Sequence, residues 1–430
     1  MAEQLRDALA VPPLPDRLEA DDRRELEGVL CTHLFHSFAG RAHPLTVRKL
    51  LDDLPVGATV LDPFVGSGTV LVEATLHGAR GIGCDISDLA LRLSRFKATL
   101  LPPAMSRALV DRARAVGTAS AERVKARQRP TQTWDKPQFY PPHVYLELCG
   151  LRAEVEAIVR RDPPLGEALL LVFSSIVVKA SRQRSETNPT PVERHIGRGQ
   201  ATRWFVAKAE EVARLHAAMW DQAMQLRADH AAAEKSNPPT EKPTTGAAKI
   251  EPPWCVKGDA RTLLSDAQAL PLWDGSVDRI VTSPPYLGTY DYVDHHVRRY
   301  PWLGIDPTPI ERGEMAARRH GRERALADLC AAHQNDTNRW VTGAARLLRT
   351  GGQMHVLVGD SLVQGEVIRG DVPIRRAAEA AGLRFVARVA AERPHFWTGA
   401  ERGPDAEDAP SAPLLAPRLE HLMVFVRGGH

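Results

Sequence analysis

At 430 residues, 43% of them hydrophobic and 25% charged, the chain can bury a large core and has room for more than one lobe. A formal net charge of only +3 excludes nucleic-acid affinity driven by overall charge and leaves that role to local basic patches. The five cysteines, Cys31, Cys84, Cys149, Cys255 and Cys330, are odd in number and scattered without a Cys-x-x-Cys pair, which argues against a disulfide framework and for reduced thiols in a cytoplasmic protein.

In chain order, residues 1–30 are charged and proline-bearing and read as an irregular lead-in or short helix. Their first residues lack the basic-then-apolar pattern of a signal peptide. Residues 31–101 read as the first half of an α/β domain that resumes at residue 250. Within it, residues 59–61 are a short apolar run expected to be a buried strand ending at Asp62 and Pro63. Gly66 and Gly68 follow where the backbone must turn tightly and admit a ligand. Residues 69–77 then read as a helix closed by Gly78, and residues 81–86 as a second strand with Asp85 near its carboxyl end. An acidic residue there, roughly 20 residues past the glycine turn, is where a doubly wound sheet accepts ribose hydroxyls. By itself Gly66-Ser67-Gly68 is equally an ordinary strand-to-helix turn; flanked by Asp62 and Asp85 it reads as a seat for a nucleotide-like cofactor. A dinucleotide fingerprint needs a third glycine three residues later, and Leu71 stands there, which argues against NAD and FAD.

Residues 102–235 read as a mostly helical insert, followed by a polar, proline-rich linker over 236–249. The apolar run 168–178 is too short to span a bilayer and reads as a buried helix. Two basic stretches lie in the insert. Arg107, Arg112, Arg114, Arg123, Lys125, Arg127 and Arg129 make the first, and Lys179, Arg182, Arg184, Arg194, Arg198 and Arg203 the second. Either suits phosphate contacts, and either is equally a solvated helix face. The second is the stronger candidate, with Arg182 and Arg184 in a helix-breaking segment.

In the second half of the α/β domain, residues 250–430, residues 254–259 look like a strand ending at Asp259, and residues 276–281 like the next strand. Ser283-Pro284-Pro285-Tyr286 then stands at a strand's carboxyl end, where ligands bind in open α/β sheets. The two prolines have no N–H, so the backbone offers carbonyls only. Ser283 Oγ and the Pro284 carbonyl can each accept one hydrogen of an exocyclic amine, drawing its nitrogen out of conjugation. No strong base is needed, and positioning supplies much of the acceleration. Tyr286 offers a ring on which an unstacked base can lie. In isolation the tetrapeptide is more often a proline-rich turn; its place after an apolar strand, in one chain with the first motif, favours the catalytic reading. Asp291 and Tyr292 are expected to wall the base pocket. Metal binding by Asp294, His295 and His296 is disfavoured because adjacent residues seldom face one ion, so no metal site is expected.

The segment Asp62-Pro63-Phe64-Val65-Gly66-Ser67-Gly68-Thr69, together with Ser283 to Tyr286, resembles the DNA N4-cytosine/N6-adenine methyltransferases. Further likenesses are Gly40-Arg41-Ala42-His43-Pro44, Gly258-Asp259, residues 347–352 with 355–360 as a helix end and the strand after it, and residues 420–426 as a closing strand, so that the resemblance covers roughly residues 33–100 and 250–428. The resemblance implies a Rossmann-like α/β fold with a mostly parallel seven-stranded sheet, interrupted by the helical insert. It implies S-adenosyl-L-methionine as cofactor, held by Asp62, Pro63, Phe64, Gly66, Gly68, Thr69, Asp85 and Asp259, with residues 64–68 at its methionine end. It implies methyl transfer to a base in DNA by Ser283, Pro284, Pro285 and Tyr286, with cytosine favoured over adenine by the serine ahead of Pro-Pro-Tyr. A restriction endonuclease is the partner such an enzyme brings to mind, and no membrane role is expected. An RNA methyltransferase acting on guanine N2 and a non-catalytic regulator are the competing readings. In this chain the insert precedes Gly258-Asp259 rather than the catalytic loop, which puts its role in target recognition in doubt.

Overall fold

The computed structural model describes residues 2–11, 26–128, 130, 132–185, 188–236, 252–266, 270–322, 324–393 and 418–429. Arg129 and nearly all of the expected 236–249 linker lie outside the described residues. The first strands are β1 (Thr59–Asp62), β2 (Arg80–Asp85), β3 (Gln183–Ser185) and β4 (Asn188–Pro191). The later ones are β5 (Trp254–Lys257), β6 (Val277–Thr282), β7 (Leu348–Gly359), β8 (Ser361–Val363), β9 (Glu366–Ile368), β10 (Leu383–Arg393) and β11 (Arg418–Arg427). Seven of them form one sheet in the order β10-β11-β7-β6-β1-β2-β5. The five strands from β7 to β5 run parallel, and β11 lies antiparallel to both β7 and β10. This is the mostly parallel, Rossmann-like sheet the sequence implied. The order reverses between β1 and β6, the kind of switch point where doubly wound sheets bind ligands.

Helices cover both faces. They are α1 (Ala2–Leu9), α2 (Pro44–Leu51), α3 (Thr69–His77) and α4 (Asp88–Ala98), then α5 (Pro103–Lys125), α6 (Pro142–Arg161), α7 (Pro163–Ala180) and α8 (Gln200–Ser236). The helix α3 starts and stops where the residues dictate, with Gly68 and Gly78 at its two caps, both in the left-handed region. The helix α7 is the one described helix long and apolar enough to cross a membrane, and 72% of that stretch is buried. It is a core helix of the insert.

Local readings shift at several boundaries. The strand expected over 254–259 ends at Lys257, because Asp259 caps the short helix Ala260–Leu263 by accepting from the Arg261 N–H at 2.9 Å. Residues 348–352, expected to finish a helix, already belong to β7. The register explains this: Leu348 pairs with Val277 and Gln353 with Arg279, so residues 349–352 bulge opposite Asp278 alone.

A continuous apolar core runs from Leu30 and Phe35 through α5, α6, α7 and α8, and takes in Val293, Trp302, Leu303 and Ile310 downstream of β6. A second core lies between β6, β7 and the helix Leu326–Leu347, with Trp340 fully buried.

Candidate active site

Four adjacent parallel strands, β6, β1, β2 and β5, deliver residues at their carboxyl ends. On β1, Asp62 is buried, and its Oδ1 accepts from the Phe64 N–H at 3.1 Å and from Thr282 Oγ1 at 2.7 Å. Burial pushes its carboxyl up to about 7, against the pull of those two donors. On β2, Asp85 accepts from the Gly66 N–H at 3.0 Å and the Ser87 N–H at 2.9 Å. Burial raises its carboxyl to about 6, and the backbone donors limit the rise.

The helix α4 holds the glycine turn from behind. Ser94 Oγ donates to the Gly66 carbonyl at 2.9 Å, and Lys97 Nζ to the Ser67 carbonyl at 2.8 Å. Lys97 is fully buried, and loss of water holds its ammonium well below the lysine range. Gly68 has φ +84°, and a Cβ there would stand 2.7 Å from Ser94 Cα, so turn and helix fit only if this position lacks a side chain.

Asp62, Pro63, Phe64, Gly66, Thr69, Asp85, Asp259, Ser283, Pro285 and Tyr292 line one cavity. Gly68, Pro284, Tyr286 and Asp291 do not; the first two belong to the turns that shape it. Asp259 turns both carboxylate oxygens to Arg261, which also reaches Asp336 at 2.9 Å and the Gly313 carbonyl at 2.9 Å. Tyr286 is 9% exposed and sits behind Ser283, their hydroxyl oxygens 3.1 Å apart. Burial raises its phenol further above the ordinary range, so it stays neutral at all working pH values. The Arg418 guanidinium lies 5.4 Å from the centre of its ring. Asp291 receives the backbone N–H and guanidinium of Arg319.

Arg182 and Arg184 lie far along the chain from this cavity, on the β3–β4 hairpin, with exposed side chains. Two neighbours in that basic stretch serve the structure: Arg194 donates to the Gln183 and Arg184 carbonyls at 2.7 and 2.8 Å, and Lys179 lies over the Trp204 ring. In the first basic stretch Arg114 pairs with Glu210 and Arg123 with Glu154, across helices of the insert.

Several lining residues escaped the sequence reading of the site. Phe38, Ile310, Glu314 and Met315 are among them, while Gly40, Arg41 and Ala42, from the segment likened to the family's element ahead of the glycine turn, also line the cavity. Arg41 brings a cation to a lining with four carboxyl groups, and donates to the His33 carbonyl at 2.9 Å. Glu314 accepts from the Tyr292 N–H at 2.7 Å and from Arg319 at 2.6 Å, and burial raises its pKa. Nothing in the local sequence marks Glu314. Lys97 did carry a signal, because it falls on the apolar stripe of Leu89, Leu93 and Phe96 in α4.

Asp360, Asp371 and His421 bring ligand atoms within 4.8 Å of one another. Their valences are taken: Arg369 and Arg388 each lie 3.0 Å from Asp371, and His421 bonds Asp360 through Nε2 at 2.8 Å and Arg388 through Nδ1. A divalent cation there would face two guanidinium groups, so the cluster is an ion-pair network tying β7 to β11.

Residues 45–95 match the N6/N4 methyltransferase family described as DNA methylase. The chain is 34% identical over 85 residues to the type II methyltransferase M.MvaI of Kocuria varians, which covers 19% of each protein. It is 23% identical over 299 residues to the type II methyltransferase M.BsoBI of Geobacillus stearothermophilus, covering 63% of this chain and 52% of that one. It thus spans about half, or less, of the length of these curated relatives. Among solved structures, a putative DNA modification methylase of Thermus thermophilus, complexed with S-adenosyl-L-methionine, is 19% identical, with a TM-score of 0.24 over 40% of this chain and 54% of that chain. The rRNA methyltransferase aviRa of Streptomyces viridochromogenes is 13% identical, with a TM-score of 0.32 over 94% and 93% of the two chains. The match to the N6/N4 DNA methylase family thus falls on α2 to α4, the stretch that carries the glycine turn and Asp85.

Proposed function

We propose that this protein transfers a methyl group from S-adenosyl-L-methionine to the exocyclic amine of a base in DNA, with cytosine N4 as the favoured target. The observation that carries the proposal is the 2.7 Å hydrogen bond between Thr282 and Asp62, 220 residues apart. It joins the glycine turn to the Ser-Pro-Pro-Tyr loop, so that Ser283 and Pro285 of that loop face the same cavity as the turn.

The lining suits this cofactor. Four carboxyl groups and one guanidinium match a ligand with two cationic centres, ribose hydroxyls and a carboxylate. Ser67 Oγ, in the same lining, is buried without a hydrogen-bond partner among the described residues, and a ligand atom would satisfy it. Asp85 would take ribose hydroxyls, Asp259 would lie by the adenine, and residues 62–69 would form the floor. When bound, the cofactor supplies an electrophilic methyl group.

The chain's own part is placement. Ser283 Oγ keeps an acceptor lone pair beside its contact with Tyr286, and the Pro284 carbonyl offers a second acceptor to the amine. The neutral Tyr286 phenol serves as a hydrogen-bonding and stacking group rather than a base. Cytosine is preferred to adenine on the serine ahead of Pro-Pro-Tyr, and the exposed Arg182 and Arg184 are proposed to meet phosphates. The type II relatives make a restriction endonuclease with the same recognition site the natural partner to look for.

The test is transfer of a labelled methyl group to unmethylated genomic DNA and to total RNA, followed by digestion to nucleosides. Label in N4-methylcytosine supports the full proposal, and label in N6-methyladenine moves the target base. Label in RNA alone overturns the choice of substrate.

A further inference from the structure

We infer that the helical insert carries the outer wall of the cavity, with Trp302 as the positioning residue through which it does so. The inference rests on reading the cavity as a cofactor seat, and it gives the insert a role beyond contact with nucleic acid. The inner wall is made by the ends of β1, β2, β5 and β6. The outer wall comes from residues 292–315, which leave β6 and contribute Tyr292, Ile310, Gly313, Glu314 and Met315.

Between Tyr292 and Ile310 the chain dips into the insert. Trp302 is fully buried there. Its Nε1–H donates to Tyr140 Oη at 2.8 Å, and its carbonyl accepts from Arg152 Nε at 2.8 Å. Its ring lies 5.4 Å from that of Phe173 and 5.8 Å from that of Tyr145. Tyr140 Oη in turn donates to Asp135 at 2.9 Å, and Arg298 pairs with the same carboxylate at 3.3 Å. Just ahead of the turn that carries Trp302, the buried Arg299 donates to the Ser174 carbonyl in α7 at 3.3 Å. Val293, Tyr300, Trp302, Leu303, Ile305 and Ile310 all share the apolar core of the insert helices.

The wall's own helices, Tyr292–His296, Tyr300–Leu303 and Thr308–Gly313, are too short to hold themselves in water. Their placement is therefore dictated by what Trp302 and its neighbours are packed against. The insert's exposed hairpin remains free to meet a polyanion, while its buried face sets the shape of the cavity.

Two substitutions test this in the full chain. Tyr140→Phe removes one hydroxyl and leaves the Trp302 N–H without its acceptor; Trp302→Phe removes the indole. Leu215→Ala, on α8 in the same core, controls for general loosening of the insert. Hydrogen exchange of the amides in residues 308–315 and affinity for S-adenosylhomocysteine are measured on all four proteins. Both test variants should speed exchange at 308–315 and weaken binding by about tenfold or more, while the control speeds exchange in α8 and leaves 308–315 unchanged. Unchanged exchange at 308–315 in both test variants, or equal acceleration there in the control, overturns the inference. Should Trp302→Phe fail to fold, Tyr140→Phe alone decides. Absence of S-adenosylhomocysteine binding by the unaltered protein would count against the cofactor reading, while exchange still decides the role of Trp302.

Discussion

Replacing Asp62 by Asn asks whether the cavity floor holds a carboxyl group far outside its ordinary range. Asp62 is 3% exposed, and burial outweighs its bonds from Thr282 and Phe64, raising its pKa from 3.8 to about 7. The native state therefore keeps a proton between those pH values that the unfolded chain has released. For such a group the stabilising contribution is complete below about pH 4 and is lost as pH rises towards 7, the reverse of an ion-paired carboxylate. Three pH decades at about 1.4 kcal/mol each come to on the order of 4 kcal/mol. Asn keeps an oxygen for Thr282 and Phe64 but has no proton to lose. The difference in stability between variant and parent should thus start near zero at low pH and favour the variant by several degrees at pH 8, at roughly 1–2 °C per kcal/mol for a chain of this size. Asp85, raised to about 6 for the same reason, is present in both proteins and cancels. Scanning calorimetry of the two proteins at intervals from pH 5 to 8 reads the difference directly. A gap in Tm that stays constant with pH would refute the reasoning, because Asp62 would then be ionised throughout.

Three further outcomes follow from the geometry. Gly68→Ala must place a methyl group 2.7 Å from Ser94 Cα at a φ of +84°; it should weaken binding of S-adenosylhomocysteine by about a hundredfold, through roughly 3 kcal/mol of strain and displacement, as calorimetry can check. Tyr286→Ala should abolish methyl transfer and leave cofactor affinity within about threefold, since its ring lies behind Ser283 and outside the cavity lining; a parallel loss of affinity would refute that division. Glu73→Gln removes the charge from a buried carboxylate that lies 2.8 Å from the half-buried Arg48 and 2.8 Å from His33. Arg48 is 34% exposed and is hydrated when its carboxylate is lost, so the change should cost about 1–3 kcal/mol, measured as a lowered denaturation midpoint.

The parts of the site that the sequence made legible are those built from local rules. The run from β1 through Gly66 and Gly68 into α3 declares itself because strand, turn and helix follow within twenty residues, each with its own residue signature. Asp85 was legible from its spacing, and the Ser-Pro-Pro-Tyr loop from prolines that can sit only where no N–H is required. Beyond Tyr292, the cavity's outer wall was not legible. Ile310 and Glu314 lie in a stretch whose placement depends on Trp302 docking among Tyr140, Tyr145 and Phe173, more than 120 residues upstream. Tyr286 was recognised as part of the loop, but its position behind Ser283 comes from β7 and β11 closing against it, with Gly359 pressed to its ring. The glycines at 351 and 352 suggested a helix end, and the bulge that absorbs them depends on the partner strand.

The bond between Thr282 and Asp62 also has a consequence for how the protein is made. On a translating ribosome β1 and β2 emerge early and can pair, but the other edge of β1 stays open until β6 has been synthesised. At about 5–20 residues per second, the 220-residue interval between Asp62 and Thr282 lasts roughly ten to forty seconds. During that time the nascent chain exposes an unpaired apolar strand edge beside a half-built glycine turn, while the insert helices fold. The central strand of the finished protein is thus the most vulnerable one during its synthesis, and a chaperone that shelters it should matter most in that window.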